Sequence, residues 1–188
     1  HDLPLGSGFG ISGASALAAC LELEKDLDLC LKAAHQAEVE LKTGLGDVVA
    51  ISEAIRQTSF PSIIIRNTPG CNGEVDCIPI KEKFIVCISG LGRNTSDIIS
   101  DEGWIEIINA AALGIQFNNI NLRSAIKIGR LFTEKAGLIN DNLSQIIDKI
   151  PIGAVSSVAH LGTSIVATSE DISSIVNVLE EFGEVREY

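Results

Sequence analysis

Four glycines fall within eight residues in Pro4-Leu5-Gly6-Ser7-Gly8-Phe9-Gly10-Ile11-Ser12-Gly13-Ala14. Such a stretch can bind phosphate: glycines let backbone N–H groups approach the oxygens closely, and a following helix adds the positive end of its dipole. The Ala- and Leu-rich run from Ser12 to Glu24 is that helix, so Pro4, Gly6, Ser7, Gly8, Phe9, Gly10, Ile11, Ser12 and Gly13 are candidate nucleotide-phosphate contacts, with the Ser12 hydroxyl at the helix start. The competing reading is a sharp turn that only starts a helix.

Two carboxylates behind the loop could do chemistry. Glu38 lies on a helix predicted from Asp28 to Lys42, on one face with Leu31, His35 and Lys42. From spacing alone it is either a functional carboxylate or an ordinary ion pair with Lys42 one turn on, worth a few tenths of a kcal/mol. Asp47 follows the turn Thr43-Gly44-Leu45-Gly46 and opens a helix running to about Gln57, where Asp is a favoured N-cap. Capping and chemistry are compatible there.

By its letters, Gly8-Phe9-Gly10-Ile11-Ser12-Gly13 also meets the G-x-G-x-x-G dinucleotide fingerprint. That reading needs a second strand near residues 30–37 ending in an acidic ribose ligand, and the sequence has an Ala-, Leu- and Glu-rich helix there instead. A Walker A loop is excluded because no Gly-Lys-Ser/Thr follows.

The arrangement of Pro4, Gly8, Gly10, Ser12 and Ala14 resembles the Pro-x-x-x-Gly-x-Gly-x-Ser-x-Ala signature of the GHMP kinases, the galactokinase, homoserine kinase and mevalonate kinase superfamily. Within it, "PLGSGFGISGASAL", "AHQAEVELKTGLGDVVA" and "IIIRNTPG" are most similar to the archaeal pantoate kinases, and "SSVAHLGTSIVA" more weakly resembles the superfamily's third motif. The resemblance implies an ATP- and Mg²⁺-dependent kinase acting on the primary hydroxyl of pantoate or a similar hydroxy acid in coenzyme A synthesis. It puts Mg²⁺ at Ser12 and Glu38 and makes Asp47 the catalytic aspartate. Arg66 becomes the candidate clamp for the substrate carboxylate, since a guanidinium binds one bidentately, with a surface arginine ending a strand as the alternative. His35, beside Glu38, and His160, in the third-motif loop, are further substrate-side candidates, against half-buried packing for His35. Another kinase of the superfamily and a non-catalytic ligand sensor remain the alternative functions.

The superfamily's first motif has no counterpart here. The resemblance therefore implies a preceding segment of several tens of residues, which in many relatives brings a lysine beside the aspartate. A chain that opens at His1 and holds no methionine fits that expectation, and without the segment it is expected to be inactive alone.

These residues need elements to hold them. After the three helices, Ser62–Arg66 reads as a strand closed by Asn67-Thr68-Pro69-Gly70, with a short second strand between Glu74 and Ile80. Lys83–Ser89 is a β-branched strand ending at Gly90-Leu91-Gly92, and the pattern is helical from there to Ile150. Ala154–Val158 and Thr163–Thr168 then read as strands around His160-Leu161-Gly162, followed by a helix from Asp171 to Phe182 and a last strand from Gly183. This order is a split β-α-β arrangement, with helices on one face of an antiparallel sheet. The expected fold is α+β in two domains: 1–81, the ATP-binding part, resembling domain 2 of ribosomal protein S5 and incomplete at its start, and 82–188, ferredoxin-like.

At 188 residues, 46% hydrophobic, the chain can bury a core. Fourteen basic against 25 acidic residues give −11, which repels a phosphate backbone, so a small molecule and not a nucleic acid is the expected partner. No apolar run is long enough to cross a bilayer, so no membrane association is expected. Five cysteines without metal-ligand spacing read as four buried small residues, with Cys71 the most exposed, in a reducing, cytoplasmic setting. A homodimer is the expected assembly.

Overall fold

The computed structural model describes residues 3–44, 46–57, 61–90, 92 and 95–188. Leu45 and Leu91, central to two expected turns, lie outside them. The first part is three helices, α1 (Ile11–Leu23), α2 (Leu27–Leu41) and α3 (Asp47–Arg56). Asp26 caps α2 by accepting from the amides of Asp28 and Leu29 at 2.9 and 3.2 Å, which satisfies two donors that no helical carbonyl can reach. At its other end Lys42 adopts a left-handed conformation (φ 54°), and Thr43 N–H returns to Glu38 O at 3.0 Å. That reversal aims the chain back at α1. Leu17, Cys30, Leu31, Ala34, Val48 and Val49 interlock the three helices.

Asp47 does not cap α3 as expected. Gly46 holds the cap position without a side chain to offer, and Asp47 is the first helical residue.

An antiparallel hairpin follows, β1 (Ser62–Arg66) with β2 (Val75–Pro79), in the register Ile64 to Cys77. Beyond it, β3 (Ile85–Ile88) leads into α4 (Thr95–Ile99), α5 (Glu102–Ala112), α6 (Leu122–Lys135) and α7 (Asp141–Asp148), then β4 (Val155–Val158), β5 (Ile165–Thr168), α8 (Ile172–Leu179) and β6 (Glu184–Glu187). Asn121 and Ser124 form a reciprocal capping box on α6, and Asn140 caps α7 through Leu143 N–H at 2.9 Å. The four strands pair antiparallel in the order β4-β5-β3-β6, the strand order of a split β-α-β sheet.

The helices do not share one face of this sheet, contrary to expectation. Ile85, Cys87, Val158, Ile165 and Ala167 meet α7 and α8 on one side, whereas Val155 and Val166 meet Leu122 and Ile126 of α6 on the other. Ile85, Val86 and Cys87 are consecutive and all buried, because a central strand covered on both faces has no solvent side. Ile80, just after the hairpin, joins the α6 side with Ile63 against it, so one apolar cluster ties the hairpin to the sheet.

All five cysteines are free, with Cys30 and Cys87 buried and Cys20 and Cys77 only half-buried, like Cys71. Burial pushes the Cys87 thiol up to about 11. No helix among the described residues is long and apolar enough to cross a membrane.

Ile165, fully buried where β5 meets α7 and α8, sets a stability test. Ile165→Ala should cost roughly 2–5 kcal/mol in urea unfolding. Ile152→Ala, at a fully exposed position, should stay within about 0.5 kcal/mol of the parent.

Candidate active site

The glycine loop is held by backbone packed on backbone. Gly8 has φ 92°, and a Cβ built there would overlap Ala159 O; one on Gly162 would overlap Ser7 O. Gly92 N–H donates to Gly6 O at 2.8 Å, so residues from beyond β3 and from the β4–β5 turn both lie against the loop. Ser7 is fully buried and spends its hydroxyl on Pro4 O at 2.7 Å, which braces the turn. Gly10, left-handed at φ 64°, starts α1 without a side-chain cap. The first amides of α1 are thereby open to an acceptor supplied from outside.

Ser12 is freed from capping as well, and its hydroxyl donates to Glu38 Oε1 at 2.9 Å. Glu38 is 1% exposed, and among the described residues its Oε2 has no hydrogen-bond partner. Burial is the main cause that raises its acidity constant; the hydroxyls of Ser12 and Thr43 oppose the rise, and the charge of Asp47 adds to it. Gly44 leaves room for this carboxylate, because a Cβ there would stand 2.7 Å from Oε1. Lys42, the ion-pair partner expected one turn on, sits in the left-handed residue that ends the helix and is not a salt-bridge partner of Glu38.

Asp47 faces the loop. A Cβ on Gly10 would lie 2.6 Å from Asp47 Cβ, and a Cβ on Gly46 would lie 2.7 Å from Arg66 Nη1, so the loop packs on the aspartate and the guanidinium at the end of β1 packs on the glycine before it. Burial raises the Asp47 pKa, opposed by His160 and then by Arg66. Burial likewise lowers that of His160, with Asp47 opposing. Both side chains keep solvent access, so the enclosure comes from the walls of a cleft and not from a sealed core.

That cleft is a cavity of about 630 Å³ lined by Gly6, Gly8, Gly10, Ile11, Ser12, Asp47, Arg66 and His160. Glu38 lies beneath Ser12. His35 stands behind the cavity wall, half-buried, its pKa lowered by burial and then by Arg66, and its Nδ1 has no partner among the described residues. Pro4, Ser7, Phe9 and Gly13 are not among the lining residues; Ser7 and Pro4 brace the turn, and Gly13 packs on Val48 of α3.

Sequence reasoning missed the far wall, where Ile98, Ile99, Ile108, Phe132, Leu138 and Leu161 give the cavity an apolar side. For Ile98, Ile99, Ile108 and Phe132 the only signal was helical hydrophobic spacing, which any core would produce; Leu138 and Leu161 lie in connections, where no period marks them. Thr43, read as part of a turn, also touches Glu38, and no pattern in the sequence marked it.

No family model matches the chain. It is 30% identical to a pantoate kinase of Methanocaldococcus jannaschii over 95% of this chain and 67% of that protein. A pantoate kinase of Methanospirillum hungatei is 29% identical over 97% of this chain and 61% of its own length. A solved phosphotransferase related to the coenzyme A biosynthesis pathway superposes with a TM-score of 0.72 at 28% identity, covering 99% of this chain and 63% of that one. The chain thus spans about two thirds of the length of the proteins it matches.

A buried carboxylate with its pKa raised above the ordinary 4.5 binds more protons in the native state than in the unfolded one between those two values. Stability therefore falls as pH rises through that window, and the full penalty is present above it. Glu38→Gln keeps an acceptor for Ser12 and removes the charge, so its melting temperature should exceed the parent's at neutral pH and converge on it toward pH 4.5. Thermal melts across that range check this.

Proposed function

We propose, from the premise that this chain belongs to the pantoate kinase family, that it transfers the terminal phosphoryl group of ATP to the primary hydroxyl of pantoate. The observation that carries this reading is that the glycine loop, Asp47 and Arg66 line the same cavity. A base, a phosphate cradle and a carboxylate receptor then share one cavity.

Phosphoryl transfer asks a protein mainly for positioning and electrostatic stabilisation. Gly6, Gly8 and Gly10 offer backbone N–H groups at the start of α1 to the ATP phosphates. Asp47 takes the proton of the attacking hydroxyl, and its raised pKa makes it the stronger base. Arg66 holds the acceptor's carboxylate, and the aliphatic far wall suits an apolar carbon skeleton. His35 supports Arg66 from behind.

Ser12 and Glu38 fit Mg²⁺. The unpartnered, buried Oε2 and the adjacent hydroxyl are hard oxygen donors, and Mg²⁺ completes its shell with water and phosphate oxygens. The described residues include no cluster of three His, Cys, Asp or Glu side chains, which fits a two-residue site shared with a nucleotide better than an all-protein cage. Bound there, the ion would neutralise charge on the transferring phosphoryl group. In this reading residues 1–81 carry the nucleotide and base side and 82–188 the opposite wall, in the two-domain GHMP architecture.

Turnover of the full-length protein with ATP, Mg²⁺ and a panel of pantoate, mevalonate and homoserine tests the assignment. Phosphorylation of pantoate alone is expected; turnover of another acceptor in its place refutes the substrate. Asp47→Asn should lower kcat by roughly 10²–10⁴-fold. Arg66→Lys should raise KM for the acceptor with a smaller effect on KM for ATP, because an ammonium cannot reproduce bidentate binding.

A further inference from the structure

The β4–β5 turn carries a feature that the phosphate cradle does not require. His160 is one of three non-glycine residues with positive φ among those described, at 35°. The backbone is pinned on both sides of it: His160 N–H donates to Val158 O at 3.0 Å and Gly162 N–H to Ala159 O at 2.8 Å. A left-handed L-residue is strained, and strain of this kind persists where surrounding contacts fix it. Here Gly162 is pressed on Ser7 of the loop, so the turn cannot relax without losing the cradle. The strained conformation puts the imidazole into the cavity, its ring 5.4 Å from that of Phe132 and tilted by 34°.

There the ring shares the cavity with Asp47, and the charge of each acts on the other. The charged groups around this pair are Asp47 on α3, Arg66 on β1 beyond it and, farther back, Glu38 on α2. Phe132, on α6, is uncharged. Asp47 therefore shares the cavity with a fixed cation and with the imidazole, which come from well-separated parts of the chain.

We propose that His160 is a positioning residue: braced on Phe132, its imidazole holds the Asp47 carboxylate toward the acceptor hydroxyl within the cavity they share. This rests on the reading of Asp47 as the base. The depressed His160 pKa fits the role, since a neutral ring can donate one hydrogen bond without adding a second full charge beside Arg66.

Two measurements on the full-length protein test it. The first is an NMR titration of the histidine ring protons, which needs no turnover. Asp47→Asn should move the His160 titration to lower pH and leave that of His35 in place; an unmoved His160 overturns the proposal. The second is kinetic. His160→Gly relieves the left-handed strain, so the melting temperature should hold or rise while kcat falls about 10-fold or more with KM for the acceptor little changed. His160→Asn, which tolerates the left-handed region and carries an amide N–H, should recover part of kcat. A fall in melting temperature that tracks the lost activity, or a raised acceptor KM at unchanged kcat, overturns the positioning role. If the parent protein phosphorylates no hydroxy acid, the functional reading fails, while the titration still decides whether His160 and Asp47 are coupled.

Discussion

Backbone meets backbone where the first glycine loop passes the β4–β5 turn, and the site's other distances depend on that approach. Gly8 lies against Ala159 O and Gly162 against Ser7 O, with no room for a methyl group at either place. Protein interiors resist such intrusion, because a close-packed contact can open only by moving the elements behind it. Here those elements are α1 on one side and β4 with β5 on the other. The contact ties the turn that carries His160 to the loop that packs on Asp47, although neither residue takes part in it.

Electrostatics add a second constraint. A carboxylate buried like Glu38, with one oxygen bonded to Ser12 and the other without a partner among the described residues, costs stability. A well-packed neutral residue would be cheaper in the absence of any ligand, and the proposed incoming cation would offset that cost. The chain's −11 charge gives the same answer at larger scale. An acidic protein that takes up anionic molecules must concentrate its positive potential locally, and Arg66, the amides of α1 and a divalent cation would supply it in one cleft.

Much of this was legible in the letters. The glycine loop, the helix behind it, the hairpin and every strand of the larger sheet lie where local patterning puts them, because turn residues and β-branched runs act through near neighbours. Glu38 was ambiguous since its spacing to Lys42 fits an ion pair equally well, and only the three-dimensional return of α2 toward Ser12 separates the readings. The covering of both sheet faces was missed because the strand order says which strands pair and not which side each helix takes. Phe132 was invisible for a similar reason: on α6 it is one apolar residue among many, and its place opposite His160 is set by contacts distant in sequence.

Asp47 shows how the two halves of the chain combine. At the first position of α3 it should feel the positive end of the helix dipole, worth about 0.3–1 kcal/mol in favour of the charged form, and Arg66 pulls the same way. Burial pushes the other way and raises the pKa against the opposing charges of His160 and Arg66. The walls that enclose this aspartate include Phe132, Leu138 and Leu161 as well as the glycine loop. Loop, aspartate and third-motif turn thus come together only in the assembled cleft, where residues from both parts of the chain line one cavity.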